Sequence, residues 1–186
     1  VDFYRAYIEE ISDTFYWPGQ KPEPALPDEL CQRVRAYTDT AVISISRLSG
    51  EGWDRDLKGH PMYEEGDFYL SNAEKAMVEK VKAYFPKIVV VLNVGGMVDT
   101  EWFCHDDAIQ SVLLAWQGGM EGGTAAAELL CGFGNPCGKL VDTFAKKLED
   151  YPSTEGFHES DAYVDYTEDI YVGYRYFETI PGAREK

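Results

Sequence analysis

Positive charge is scarce in this sequence. Its 17 Lys and Arg stand against 33 Asp and Glu, a net charge of −16 at pH 7. A surface of that sign repels phosphate backbones and anionic headgroups, so neither nucleic acid nor a membrane surface is an expected partner. Cysteine is sparse as well: Cys31, Cys104, Cys131 and Cys137 are spread along the chain without a CxxC pair, which argues against a zinc ribbon or a redox motif and for reduced thiols. Long hydrophobic runs are missing. A stretch such as Ile88–Leu92 falls far short of the roughly 18 residues that suggest a membrane span. The N-terminus has no basic-then-apolar leader pattern, but the chain opens at Val1 and stops in Arg184-Glu185-Lys186, so both ends are expected to be boundaries inside a longer protein.

Cofactor signatures are also absent. Gly95-Gly96 and the glycines of 118–123 match neither GxGxxG nor GxxxxGK[ST], so they read as tight turns rather than phosphate cradles. His105 lies between Cys104 and Asp106-Asp107, yet consecutive side chains rarely converge on one ion, and His60 and His158 lack supporting spacing; a solvated helix start is the better reading. Neither a metal nor another cofactor is expected.

What remains is the composition of an ordinary globular domain. The chain has 186 residues, 45% of them hydrophobic and 27% charged, enough for one domain with a real core. Residues 1–12 carry Phe3, Tyr4, Tyr7, Ile8 and Ile11 at helical intervals, before Trp17-Pro18-Gly19 breaks the pattern. Pro27-Asp28-Glu29 opens a second helix bearing Leu30, Cys31, Val34 and Tyr37. Strands are predicted at Ala41–Leu48, Lys87–Val94 and Ser111–Trp116, because β-branched and apolar residues run together there. Ser71 with Glu74 forms a capping box for a helix ending before Pro86, and another helix is predicted at about 124–131. Further strands are predicted at Lys139–Phe144 and Ile170–Tyr176, with the acidic stretch 149–169 looping over the surface. Helices alternating with buried strands imply an α/β fold with a largely parallel sheet.

The long segment 49–70, with Gly50, Gly52, Gly59 and Gly66, reads as a loop at the end of the first strand. Long loops in compact domains are commonly functional. It begins Ser49-Gly50-Glu51-Gly52-Trp53-Asp54-Arg55-Asp56. An acid between two glycines can approach a ligand closely, since both neighbours tolerate unusual backbone angles; a plain surface turn is the competing reading.

This segment resembles the Ser-Gly-Glu-Gly-aromatic-Asp-Arg motif around the acid/base residue of family 3 β-glucosidases. The resemblance continues in order through Gly66–Ser71, Val89–Gly95, Leu114–Gly123, Asn135–Leu140 and Tyr166–Tyr176, with Gly at the 118–119 position where the family more often has Pro. It implies that residues 1–186 form the α/β sandwich domain of a family 3 glycoside hydrolase, a three-layer, (α/β)6-like and incomplete version. It also implies a retaining enzyme whose active site spans two domains: a (β/α) barrel, not in this chain, supplies the nucleophilic Asp, and the sandwich supplies the acid/base, here Glu51. The expected substrate is a β-linked glucoside or oligosaccharide, the expected partner is the barrel of the same protein, and the chain by itself is expected to be inactive. Trp53 either packs beside the leaving-group sugar or anchors the loop. Asp54 and Arg55 are expected to fix the loop through ion pairs or hydrogen bonds, Glu121 to start a helix, and Glu168 to play a structural part. The loop is expected to be loosely held without the barrel. The alternative function is a non-catalytic carbohydrate-binding or interaction domain.

Overall fold

Alternation along the first strand gives the sheet a covered face. In the computed structural model, which describes residues 2–11, 21–52, 54–56, 58–157 and 160–186, strand β1 (Thr40–Ser46) buries Ile43 and Ile45 while Val42, Ser44 and Ser46 remain exposed. Strand β2 (Lys87–Asn93) differs, for its consecutive Val90, Val91 and Leu92 are all buried, as expected of a central strand covered on both faces. Strand β3 (Ile109–Leu114) completes the sheet, in the order β1-β2-β3. Both pairings are parallel: Ile45 lies opposite Leu92, and Leu92 opposite Leu114. The C-terminal ends Ser46, Asn93 and Leu114 therefore share one edge.

The described residues gather into two compact units, 1–93 with 107–114, and 94–106 with 115–186. The first holds the sheet and helices α1 (Asp2–Ile11), α2 (Asp28–Tyr37) and α3 (Asn72–Tyr84). Helix α3 starts as its sequence dictates. Ser71 Oγ accepts from Glu74 N at 3.1 Å, and Glu74 Oε2 accepts from Ser71 N at 2.8 Å, so two of the orphan amides of the first turn are satisfied reciprocally. Met77, Val78 and Val81 form its buried side. Asp28 joins α2 to α3 by pairing with Lys80 and accepting from the Tyr84 hydroxyl at 3.0 Å.

The second unit contains the short helix α4 (Glu101–Cys104), α5 (Gly122–Leu130) and α6 (Tyr174–Thr179). Its core includes Ala145, Phe177 and Ala183, against which Tyr151, Tyr176 and Ile180 pack. The turn before α5 needs glycine: a Cβ on Gly118 would lie 2.7 Å from the Gly122 Cα.

Two predicted strands do not form. Residues 139–144 carry no regular structure. The Tyr151 hydroxyl donates to Thr143 O at 2.9 Å and accepts from Ala145 N at 2.8 Å, so a side chain takes up main-chain groups that a sheet ladder would use. At Ile170–Tyr176 the apolar run is interrupted by Gly173 at φ 61°, and helix α6 starts there with Tyr176 N donating to Gly173 O at 3.0 Å. The segment 149–169 is irregular apart from 3-10 turns at Leu148–Asp150 and Pro152–Thr154, among its described residues. All four cysteines are free thiols. No helix among the described residues is long and apolar enough to cross a membrane.

Candidate active site

Strand β1 delivers Arg47 into the protein and then releases the chain into the loop. Arg47 is buried, with 3% of its surface exposed, and a buried guanidinium needs acceptors for its five N–H groups. It finds them. Nη1 donates to Ser46 O at 2.7 Å and Glu74 Oε1 at 2.8 Å, Nη2 to Tyr69 O at 2.9 Å and Glu74 Oε2 at 2.8 Å, and Nε to Asp67 O at 2.6 Å. Its flat face lies 4.6 Å from the centre of the Tyr63 ring. Burial pushes the Tyr63 phenol up to about 12, against the opposing pull of the Arg47 charge. The same Glu74 that caps α3 is thus the counter-ion that fastens the loop's return to the end of β1.

The loop consequently has two unlike limbs. Its return limb buries Tyr63, Asp67, Phe68 and Leu70, so the expectation of a loosely held loop does not extend to it. These side chains make it part of the core. The outgoing limb is different: Glu51, Gly52 and Asp54 are exposed. Gly52 takes φ 75°, a left-handed conformation costing other L-residues roughly 1–2 kcal/mol, so the glycine after the acid is required by the turn. The Glu51 carboxylate makes no hydrogen bond or ion pair with another described residue. It stands on the loop leaving the C-terminal edge of the parallel sheet, where open α/β sheets place their ligands.

The other predicted positions fall as follows. Arg55 fixes the loop as expected, its Nε donating to Asp67 Oδ2 at 2.7 Å and its Nη2 to Asp67 O at 3.1 Å. Trp53 lies outside the described residues. Glu121 occupies the N-cap position of α5 without a side-chain cap bond, and the Glu168 main-chain carbonyl accepts from Tyr171 N in a turn. Among the described residues no group of three or more His, Cys, Asp or Glu could hold a metal ion. Sequence reasoning missed Arg47 and Asp67. The available signal was a lone cation directly after an apolar strand, paired with an acid already placed at a helix start.

Comparison with known proteins bears on this arrangement. The family described as "Glycosyl hydrolase family 3 C-terminal domain" matches residues 16–174. Beta-glucosidase A of Butyrivibrio fibrisolvens is 58% identical over 202 aligned positions, which cover 100% of this chain and 24% of that protein. A beta-glucosidase of Ruminococcus albus is 40% identical over 191 positions, covering 98% of this chain and 19% of that protein. Among solved structures, beta-glucosidase 3B from Thermotoga neapolitana in complex with alpha-D-glucose superposes with a TM-score of 0.80 at 36% identity, covering 96% of this chain and 26% of that one. The chain spans about a quarter or less of the length of the curated relatives it matches.

Proposed function

The chain belongs to the glycosyl hydrolase family 3 C-terminal domain family, and from that premise we propose that it is one half of the active site of a retaining β-glucosidase, with Glu51 as general acid/base. The observation that carries the reading is the state of Glu51: exposed, flanked by Gly50 and Gly52, and on the loop at the C-terminal edge of the sheet. The relatives' names, which are those of β-glucosidases, favour a β-linked glucoside or oligosaccharide as substrate.

Retention of configuration requires two carboxyl groups about 5–5.5 Å apart. In this reading the nucleophilic Asp belongs to a (β/α) barrel of the same protein, outside this chain. That Asp attacks the anomeric carbon as Glu51 protonates the departing glycosidic oxygen. The Glu51 carboxylate then takes a proton from water, whose oxygen displaces the enzyme from the sugar. A general acid working near neutral pH is kept protonated by desolvation or by a neighbouring negative charge; here the bound sugar and the nucleophile would supply both. Trp53 would pack beside the leaving-group sugar.

The test is a comparison of the full-length protein with its Glu51→Gln variant on an aryl β-glucoside bearing an activated leaving group. Such a group needs little protonation, so the first step survives while deglycosylation stalls, and added azide restores turnover because it attacks without a base. The isolated chain should hydrolyse no aryl β-glucoside measurably, since effective alignment of two carboxyls carries a large share of the rate. An unaffected Glu51→Gln enzyme removes Glu51 from the mechanism.

A further inference from the structure

Asp67 is where the two limbs of the Glu51 loop are tied together. Its N–H donates to Asp56 O at 2.8 Å, its Oδ2 accepts from Arg55 Nε at 2.7 Å, and its carbonyl accepts from both Arg47 Nε at 2.6 Å and Arg55 Nη2 at 3.1 Å. The residue is 2% exposed. The link to Arg55 Nε uses the carboxylate, whereas the links to Arg47 and to Asp56 use the main chain. The two kinds of link can therefore be separated by changing the Asp67 side chain.

Arg47 and Glu74 already fasten the return limb to β1 and α3, so the loop's attachment to the fold does not need Arg55. What Arg55 adds is a restraint on the outgoing limb, the one that bears Glu51. The Asp67 N–H already ties the main chain of that limb at Asp56 O, and the ion pair adds a charged side-chain restraint one residue nearer to Glu51, which is itself exposed. A charge-assisted bond to a buried carboxylate is stronger and more directional than a neutral one. We propose that Arg55 and Asp67 are positioning residues for Glu51: their ion pair sets where the acid stands relative to the reacting bond, an inference that rests on the acid/base reading of Glu51.

The test uses the full-length protein and the Asp67→Asn variant, which removes the carboxylate charge and leaves the main-chain acceptors of Arg47 in place. Misplacement by about 1 Å can cost on the order of 100-fold in rate. We expect a fall in kcat of roughly that size on an unactivated glucoside, with KM little changed. On an activated aryl glucoside, deglycosylation should become slow and azide should restore it, yielding a glycosyl azide: nitrogen bonds to the anomeric carbon as the ester bond to the nucleophilic carboxylate breaks, with no proton to be moved. A merely structural role would lower all rates together by reducing the folded fraction, and azide would not help; that result, or wild-type rates, overturns the inference. Glu51→Gln is measured in parallel. If it responds to azide while Asp67→Asn does not, the positioning role alone fails; if Glu51→Gln is unaffected, the acid/base reading fails and takes this inference with it. Should Asp67→Asn not accumulate folded, Arg55→Lys is read by the same criterion, since lysine keeps the charge but loses the two-pronged grip: azide-responsive slowing supports the role, and its absence overturns it.

Discussion

Replacing Arg47 by Met should unfold this chain more readily than any single change in an exposed position, and the reason can be worked from its bonds. The substitution leaves the Asp67 and Tyr69 carbonyls without the guanidinium that bonds them at 2.6 and 2.9 Å, and strips Glu74 of a two-pronged partner at 2.8 Å. Glu74 keeps the Ser71 amide, which cannot neutralise the carboxylate of a side chain that is only 12% exposed. Breaking a buried pair by removing one partner costs about 3–5 kcal/mol, a large share of the roughly 5–15 kcal/mol that holds a domain together. With a urea m-value of about 2 kcal/mol/M, that loss lowers the midpoint by roughly 1.5–2.5 M. Urea titration followed by circular dichroism measures it. The control is the pair Arg47→Met with Glu74→Gln: the glutamine can still accept from Ser71 N while carrying no stranded charge, so the double variant should be more stable than Arg47→Met alone. A loss under about 1 kcal/mol for Arg47→Met, or a double variant as unstable as the two single losses added, would refute the argument that an uncompensated buried charge is what Arg47 prevents.

Two further outcomes are expected. Ser71→Ala should cost about 1 kcal/mol in the same titration, because it removes the acceptor for Glu74 N while leaving the buried ion pair intact; a change below a few tenths would mean that the cap contributes little. Stability should also fall as pH rises above 10: Tyr63 ionises at 10.0 when unfolded and is pushed up to about 12 by burial, so between these values the unfolded chain releases its proton first and is favoured. Tyr63→Phe keeps the ring beneath Arg47 and should weaken that alkaline loss, and an unchanged pH profile would exclude Tyr63 as its source.

The elements legible in the sequence are those whose signals are local. Ser71 and Glu74 are close enough in the chain to announce a helix start, and the run from Ile88 to Leu92 announces a central strand, so α3 and β2 lie where the pattern puts them. Strand ends are less local. The third strand stops at Leu114 rather than Trp116, and Trp116 takes φ 53°, which no extended strand accommodates. Residues 170–176 are apolar and aromatic enough to suggest a strand, but Gly173 at φ 61° breaks the extended backbone and helix α6 starts directly after it. The site was half visible for the same reason. Glu51 with its glycines is a contiguous motif, whereas Arg47 meets Asp67, Tyr69 and Glu74 only after the loop has closed.

The unlike limbs of the loop also bear on why an acid shared between two parts of a protein would be built this way. A carboxylate meant to serve within one domain can be buried at once, provided hydrogen bonds or a cation offset its desolvation; Glu74, inside the Arg47 cluster, is such a group. Glu51 has no such compensation among the described residues and remains in water. If its partner carboxyl and the sugar come from elsewhere in the protein, leaving it solvated avoids the cost of an unpaired buried charge until those groups arrive. Its accuracy must then come from the far side of the loop, where Asp67 is buried and two arginines converge on its carbonyl. On the proposed acid/base reading, exposure of the acid and a fixed anchor for its loop are two requirements of one design, the first met at Glu51 and the second at Asp67.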